Sequence, residues 1–99
     1  MILRRKILFI YKLLRDILKL DMGEKNCYKI TDTKYLYVEN WCSIDDKWFT
    51  TLELVNGEDV NDVWELYETL EIITLDYKNK AELKEGIKLI LKLYKIKYK

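Results

Sequence analysis

Leu3, Ile7, Ile10, Leu14 and Ile17 recur at spacings of four and three residues, so a helix over residues 1–20 places all five along one face. The apolar arc is wide, because Phe9, Leu13, Leu18 and Leu20 extend it. The polar strip holds only Arg4, Arg5, Lys12, Arg15, Asp16 and Lys19, with Leu8 intruding on it. Lys6 falls inside the arc, where its stem can snorkel outwards. An ordinary surface helix needs an apolar stripe of about 100°, so this one has more apolar surface than a single neighbour covers. Gly23 stands where a C-terminal cap is expected.

Beyond this helix the period changes. Tyr28 to Asp32 and Tyr35 to Trp41 are rich in Tyr, Val and Ile with partial alternation, as strands favour. Ser43 to Lys47 reads as a turn, Trp48 to Val55 as a further strand, and Asn56-Gly57 as its closing turn. Trp41 and Trp48 flank the first of these turns and are expected to face each other across a hairpin. Asp59 is a good N-cap for a second helix, with Asp62 three residues on. Its apolar face would hold Val60, Val63, Trp64, Tyr67 and Leu70, with Asp62, Glu65 and Glu68 opposite. Ile72 to Tyr77 follows as a short strand.

The last segment supports two patterns. Leu83, Ile87, Ile90, Leu91 and Tyr94 fit a helical face beside Lys84, Lys88, Lys92 and Lys95, with Asn79 as cap and Glu82 supporting it. Against a helix, Gly86 costs about 1 kcal/mol in its interior. Tyr94, Ile96 and Tyr98 also alternate with Lys95, Lys97 and Lys99, as in a lysine-protected edge strand. The spacing favours a helix to about Lys92, with a strand as the alternative. The order of elements predicts one α+β domain over residues 1–99, an antiparallel sheet of three to four strands carrying helices on one face.

Composition narrows the chemistry. With 49% hydrophobic and 35% charged residues the chain is too apolar to be disordered. Charges interrupt every apolar run before the ~18 residues a membrane span needs. The run Ile7 to Tyr11 ends at Lys12 without a small-residue cleavage site, so export is not expected. There is no His, which leaves Cys27, Cys42 and Ser43 without the usual base for nucleophilic catalysis. Two cysteines cannot furnish the roughly four ligands of a structural zinc site. Cys27 and Cys42 are expected to be small buried apolar residues, with a disulfide, within the chain or between subunits, as the alternative. Asp45 and Asp46, and Glu58, Asp59 and Asp62, are simpler as turn and cap residues than as Mg²⁺ ligands. Three glycines make no phosphate loop. No enzyme activity, metal or cofactor is expected.

Charge is segregated along the chain. Residues 1–20 carry a net +5, 21–46 a net −3, 47–77 a net −7 and 78–99 a net +6. Apolar surface at both ends in excess of what the sheet covers predicts an interaction protein, a homodimer with Leu3, Ile7, Ile10, Leu14 and Ile17 at its interface, binding a further protein. The alternative is a non-specific nucleic-acid-binding module. In it Arg4, Arg5, Lys12, Arg15 and Lys19 meet Lys84, Lys88, Lys92 and Lys95 in one basic surface, and Tyr94 and Tyr98 supply stacking. Competing with both is the pairing of the basic ends with the acidic segment Glu53 to Asp76. A membrane-surface role for residues 1–20 is disfavoured by their narrow polar strip.

Lys outnumbers Arg 15 to 3 and Gln is absent, a pattern shared by hyperthermophile proteins and by AT-rich genomes. In length and in the Lys-Ile-Leu-Tyr composition of MILRRKILFIYKLLRDILKL and GIKLILKLYKIKYK, the chain resembles the small orphan proteins of filamentous viruses infecting hot-spring archaea such as Acidianus. The resemblance implies a thermostable dimer in the host cytoplasm of an infected cell, and assigns no functional residue.

Overall fold

A computed structural model describes residues 2–21, 23–57 and 68–96, with side chains described from residue 8 onward within those ranges. The order is α1 (Ile2–Lys19), β1 (Lys25–Lys29), β2 (Lys34–Cys42), β3 (Trp48–Asn56), β4 (Glu68–Asp76) and α2 (Lys80–Leu93). The strands form one antiparallel meander in the order β1-β2-β3-β4. Both helices pack against it, giving an α+β arrangement.

Register explains which face the helices take. Leu36 lies opposite Leu54, Val38 opposite Leu52 and Thr50 opposite Leu75, so these side chains share one face of the sheet. Ile10, Leu13, Leu14 and Ile17 of α1 and Leu83, Ile87, Ile90 and Leu91 of α2 join them in a single buried cluster. The wide arc of α1 is thus accounted for within the chain, since a sheet and a second helix flank it. Ile10, Leu14 and Ile17, expected at a dimer interface, are 2%, 5% and 0% exposed. They are core residues of this chain. The side chains of Leu3 and Ile7 lie outside the described residues.

The C-terminal end of α1 is held by tertiary groups. Asn40, fully buried on β2, donates its amide to the carbonyls of Ile17 (2.9 Å) and Leu20 (3.2 Å), while its Oδ1 accepts from the Thr50 hydroxyl at 2.6 Å. The Tyr77 hydroxyl donates to Leu18 O at 3.3 Å. These donors satisfy carbonyls that a helix C-terminus leaves orphaned. Gly23 is not the cap itself, because α1 ends at Lys19. With φ +83° it makes the turn into β1, where its N–H donates to Asn40 O at 2.8 Å.

α2 begins as its sequence predicts, with the Asn79 side chain accepting from Glu82 N at 3.1 Å. It ends in a Schellman turn: Ile96 N donates to Leu91 O (2.9 Å) and Lys95 N to Lys92 O (3.2 Å), with Lys95 left-handed at φ +50°. The turn sends Ile96 back into the core. Gly86 has a packing reason, since a Cβ there would overlap the Leu75 side chain.

Other expectations are corrected. Trp41 faces Phe49, with ring centroids 5.0 Å apart, while Trp48 lies opposite Cys42. The first strand starts at Lys25 rather than Tyr28, and Ile30 to Asp32 belong to the turn that Thr31 closes by accepting from Lys34 N. Glu68, Thr69 and Leu70 lie in β4, not in a helix. The rest of the helix expected from Asp59 lies outside the described residues.

Candidate functional site: a basic groove between the two helices

Tyr77, just ahead of α2, reaches Leu18 near the end of α1, whereas Lys84 farther along α2 reaches Tyr11 in mid-α1. The helices therefore run in opposite directions. On α1 the positions 11, 14, 15, 18 lie on one side at helical spacing, and on α2 the positions 80, 81, 84 do the same. Between them lies a groove of about 500 Å³ lined by Tyr11, Leu14, Arg15, Leu18, Lys19, Lys80, Ala81 and Lys84.

Four of these side chains are cationic and none is a carboxylate. The Lys84 ammonium donates to the Tyr11 hydroxyl at 3.3 Å and lies 4.9 Å from the centre of that ring. Such a contact holds both groups at the rim by cation–π attraction. Arg15 lies 3.6 Å from the Asp16 carboxylate, an exposed pair worth little in water. Among the described residues no ion pair engages Lys19, Lys80 or Lys84. The ion pairs there are Arg15–Asp16, Lys29–Asp32 and Lys88–Glu85, near in sequence, and Lys25–Glu39, across β1 and β2. None joins the cations of the helices to the acids of β3 and β4.

The expected basic residues divide. Lys84, Arg15 and Lys19 come together in the groove. Lys88 and Lys92 continue the row of Lys84 along exposed turns of α2, toward the N-terminal half of α1. Lys12 turns away, into a second cleft of about 270 Å³ with Phe9, Leu13, Asp16, Cys27, Tyr28 and Lys29. The side chains of Arg4 and Arg5, and Tyr98, lie outside the described residues. Lys95 is exposed beyond the end of α2. Tyr94 is no stacking platform: it is half-buried against the core and its hydroxyl donates to Leu70 O.

Lys80, Ala81 and Tyr11 are the members that the sequence left unassigned. Lys80 stands one turn before Lys84 in the series 80, 84, 88, 92, which is the signal for it. Tyr11 carried no such signal, because only the approach of α2 gives it a cation.

The cysteines are free and exposed, not buried. Cys27 lies opposite Tyr37, five residues before Cys42 along β2. At about 3.3 Å per strand residue they are roughly 16 Å apart along the sheet, beyond the ~7 Å that a disulfide spans. Partial burial pushes the Cys27 thiol above its ordinary value, and a hydrogen bond with Tyr37 offsets part of this. Among the described residues no group of three His, Cys, Asp or Glu could hold a metal ion, and no helix is long and apolar enough to cross a membrane.

Comparison with protein families, curated proteins and solved structures finds no match to this chain.

Proposed function

We propose that this chain is a nucleic-acid-binding module that grips phosphates along the α1–α2 groove. The observation that carries it is the convergence of Arg15, Lys19, Lys80 and Lys84, from two helices, on one concavity whose lining has no carboxylate. Lys19, Lys80 and Lys84 join no ion pair among the described residues and Arg15 only an exposed one, so all four gain from meeting phosphates, and the release of condensed counterions drives the association. Lys88 and Lys92 extend the same track. Nothing in the groove is arranged to read base edges, so recognition is of backbone charge.

Fluorescence anisotropy with labelled DNA and RNA across a salt series tests this. The expected log–log slope is about −3, from four phosphate contacts at roughly −0.7 to −0.9 each. The double variant Lys80→Gln, Lys84→Gln should reduce that slope by about 1.5. Absence of binding at low salt, or affinity indifferent to salt, overturns the proposal.

A second reading, a homodimeric interaction protein, is favoured by one observation. Leu89 and Leu93 lie one turn apart on α2, 47% and 55% exposed. An apolar stripe of this kind suits a helix-to-helix contact between two copies.

A further inference from the structure

A phosphate track needs cations and nothing else, yet this groove has an apolar floor. Leu14 is buried, Leu18 is half-buried and Ala81 completes the floor, while the Tyr11 ring stands at its edge, about half exposed. The cavity of about 500 Å³ falls within the ~300–1,000 Å³ of pockets that enclose small flat ligands. Duplex DNA keeps its bases stacked inside and offers a protein its convex backbone, so it would meet the rim lysines and leave this floor empty. A strand with unpaired bases can fill both parts, because every base has a flat apolar face that stacks on aromatic side chains.

We propose that the groove takes single-stranded nucleic acid, seating one unstacked base against Tyr11, Leu14, Leu18 and Ala81 while the flanking phosphates meet Arg15, Lys19, Lys80 and Lys84. The proposal rests on the nucleic-acid reading above and narrows its ligand. Lys84 has two partners to choose between: in the free protein it holds Tyr11, and in the complex a phosphate draws it outwards, leaving the ring to the base. Arg15 and Lys19, one turn apart on α1, and Lys80 and Lys84, one turn apart on α2, then flank the base from opposite walls.

Three labelled probes separate this from its parent: a thymidine strand of about 12 nucleotides, an abasic strand of the same length and a duplex of the same length. They are titrated into the full chain by anisotropy at one low salt concentration. The thymidine strand is expected to bind roughly tenfold more tightly than the abasic strand. Tyr11→Ala should remove that preference and Tyr11→Phe should keep it, with melting temperatures confirming that both variants fold. Equal affinity for the thymidine and abasic strands, a comparison that needs no variant, overturns the seated base while leaving the phosphate track standing. Tighter binding of the duplex than of the thymidine strand does the same. Failure of all three probes to bind overturns both readings.

Discussion

Asn40 ties α1, β2 and β3 together by hydrogen bonds, through Ile17 O, Leu20 O and the Thr50 hydroxyl. Every polar atom of its side chain is matched, and no buried side-chain N or O among the described residues lacks a partner. Replacing it with Leu preserves volume but strands the Thr50 hydroxyl and two helix carbonyls. An unsatisfied buried polar group costs about 1–3 kcal/mol, so Asn40→Leu should lower stability by about 3 kcal/mol in urea titration. A loss below 1 kcal/mol would show that water replaces the amide. Tyr28 gives a second residue-scale prediction. Burial, more than any other influence, raises its hydroxyl above the ordinary value of 10.0; Asn26 opposes this and the Asp16 charge adds to it. The unfolded chain then loses that proton at lower pH than the folded one. The stabilisation is complete below pH 10 and fades as pH climbs through the raised value. Tyr28→Phe should flatten the alkaline limb of stability against pH; an unchanged limb would assign it to other groups.

At the scale of elements, α2 closes on a lysine where most helices use glycine. A left-handed non-glycine residue costs roughly 1 kcal/mol, and Lys95 bears it because Ile96 must return to the core. Lys95→Gly should therefore raise the melting temperature by several degrees, equivalent to about 1 kcal/mol for a domain of this size. A fall would mean that the lysine side chain has a compensating contact. The same turn explains why the tail carried a strand-like alternation: Tyr94 and Ile96 point inward across a Schellman turn, not along a strand. The sheet, its antiparallel sense and both helices were legible because their apolar residues recur at periods of 2 or 3.6. The start of β1 was not, since Lys25, Asn26 and Cys27 are exposed on an edge and carry no buried alternation. Glu68 to Leu70 continued a helical spacing in sequence, yet pairing with Val55 and Asn56 places Glu68 and Thr69 in the sheet. Of the groove, the lysine row was legible and its depth was not, because depth depends on how closely two distant helices approach.

For the whole molecule, a shared core of two helices and a sheet leaves less apolar surface outside than the sequence implies. Leu14→Asp places a carboxylate in that core at a cost of several kcal/mol, comparable to the entire stability of a small domain. It should unfold the chain, as read by loss of its cooperative melt. The homodimer reading instead predicts that Leu89→Asp with Leu93→Asp yields folded monomers in sedimentation velocity. A variant that sediments as wild type and melts normally would sink it. Among the described side chains, cations outnumber acids on the helices, where Asp16, Glu82 and Glu85 are the acids, whereas β3 and β4 carry Glu53, Glu68, Glu71 and Asp76. A polyanion approaching the molecule is attracted to the cations that converge in the groove, which biases its orientation before contact.

The anchoring of α1 has a consequence for how the chain is made. The helix is made before its anchors: the amide that holds Leu20 follows 20 residues later and the hydroxyl that holds Leu18 follows 59 residues later. The apolar face of α1 therefore waits for partners made after it, first on β2 and β3 and then on α2, before its core is complete.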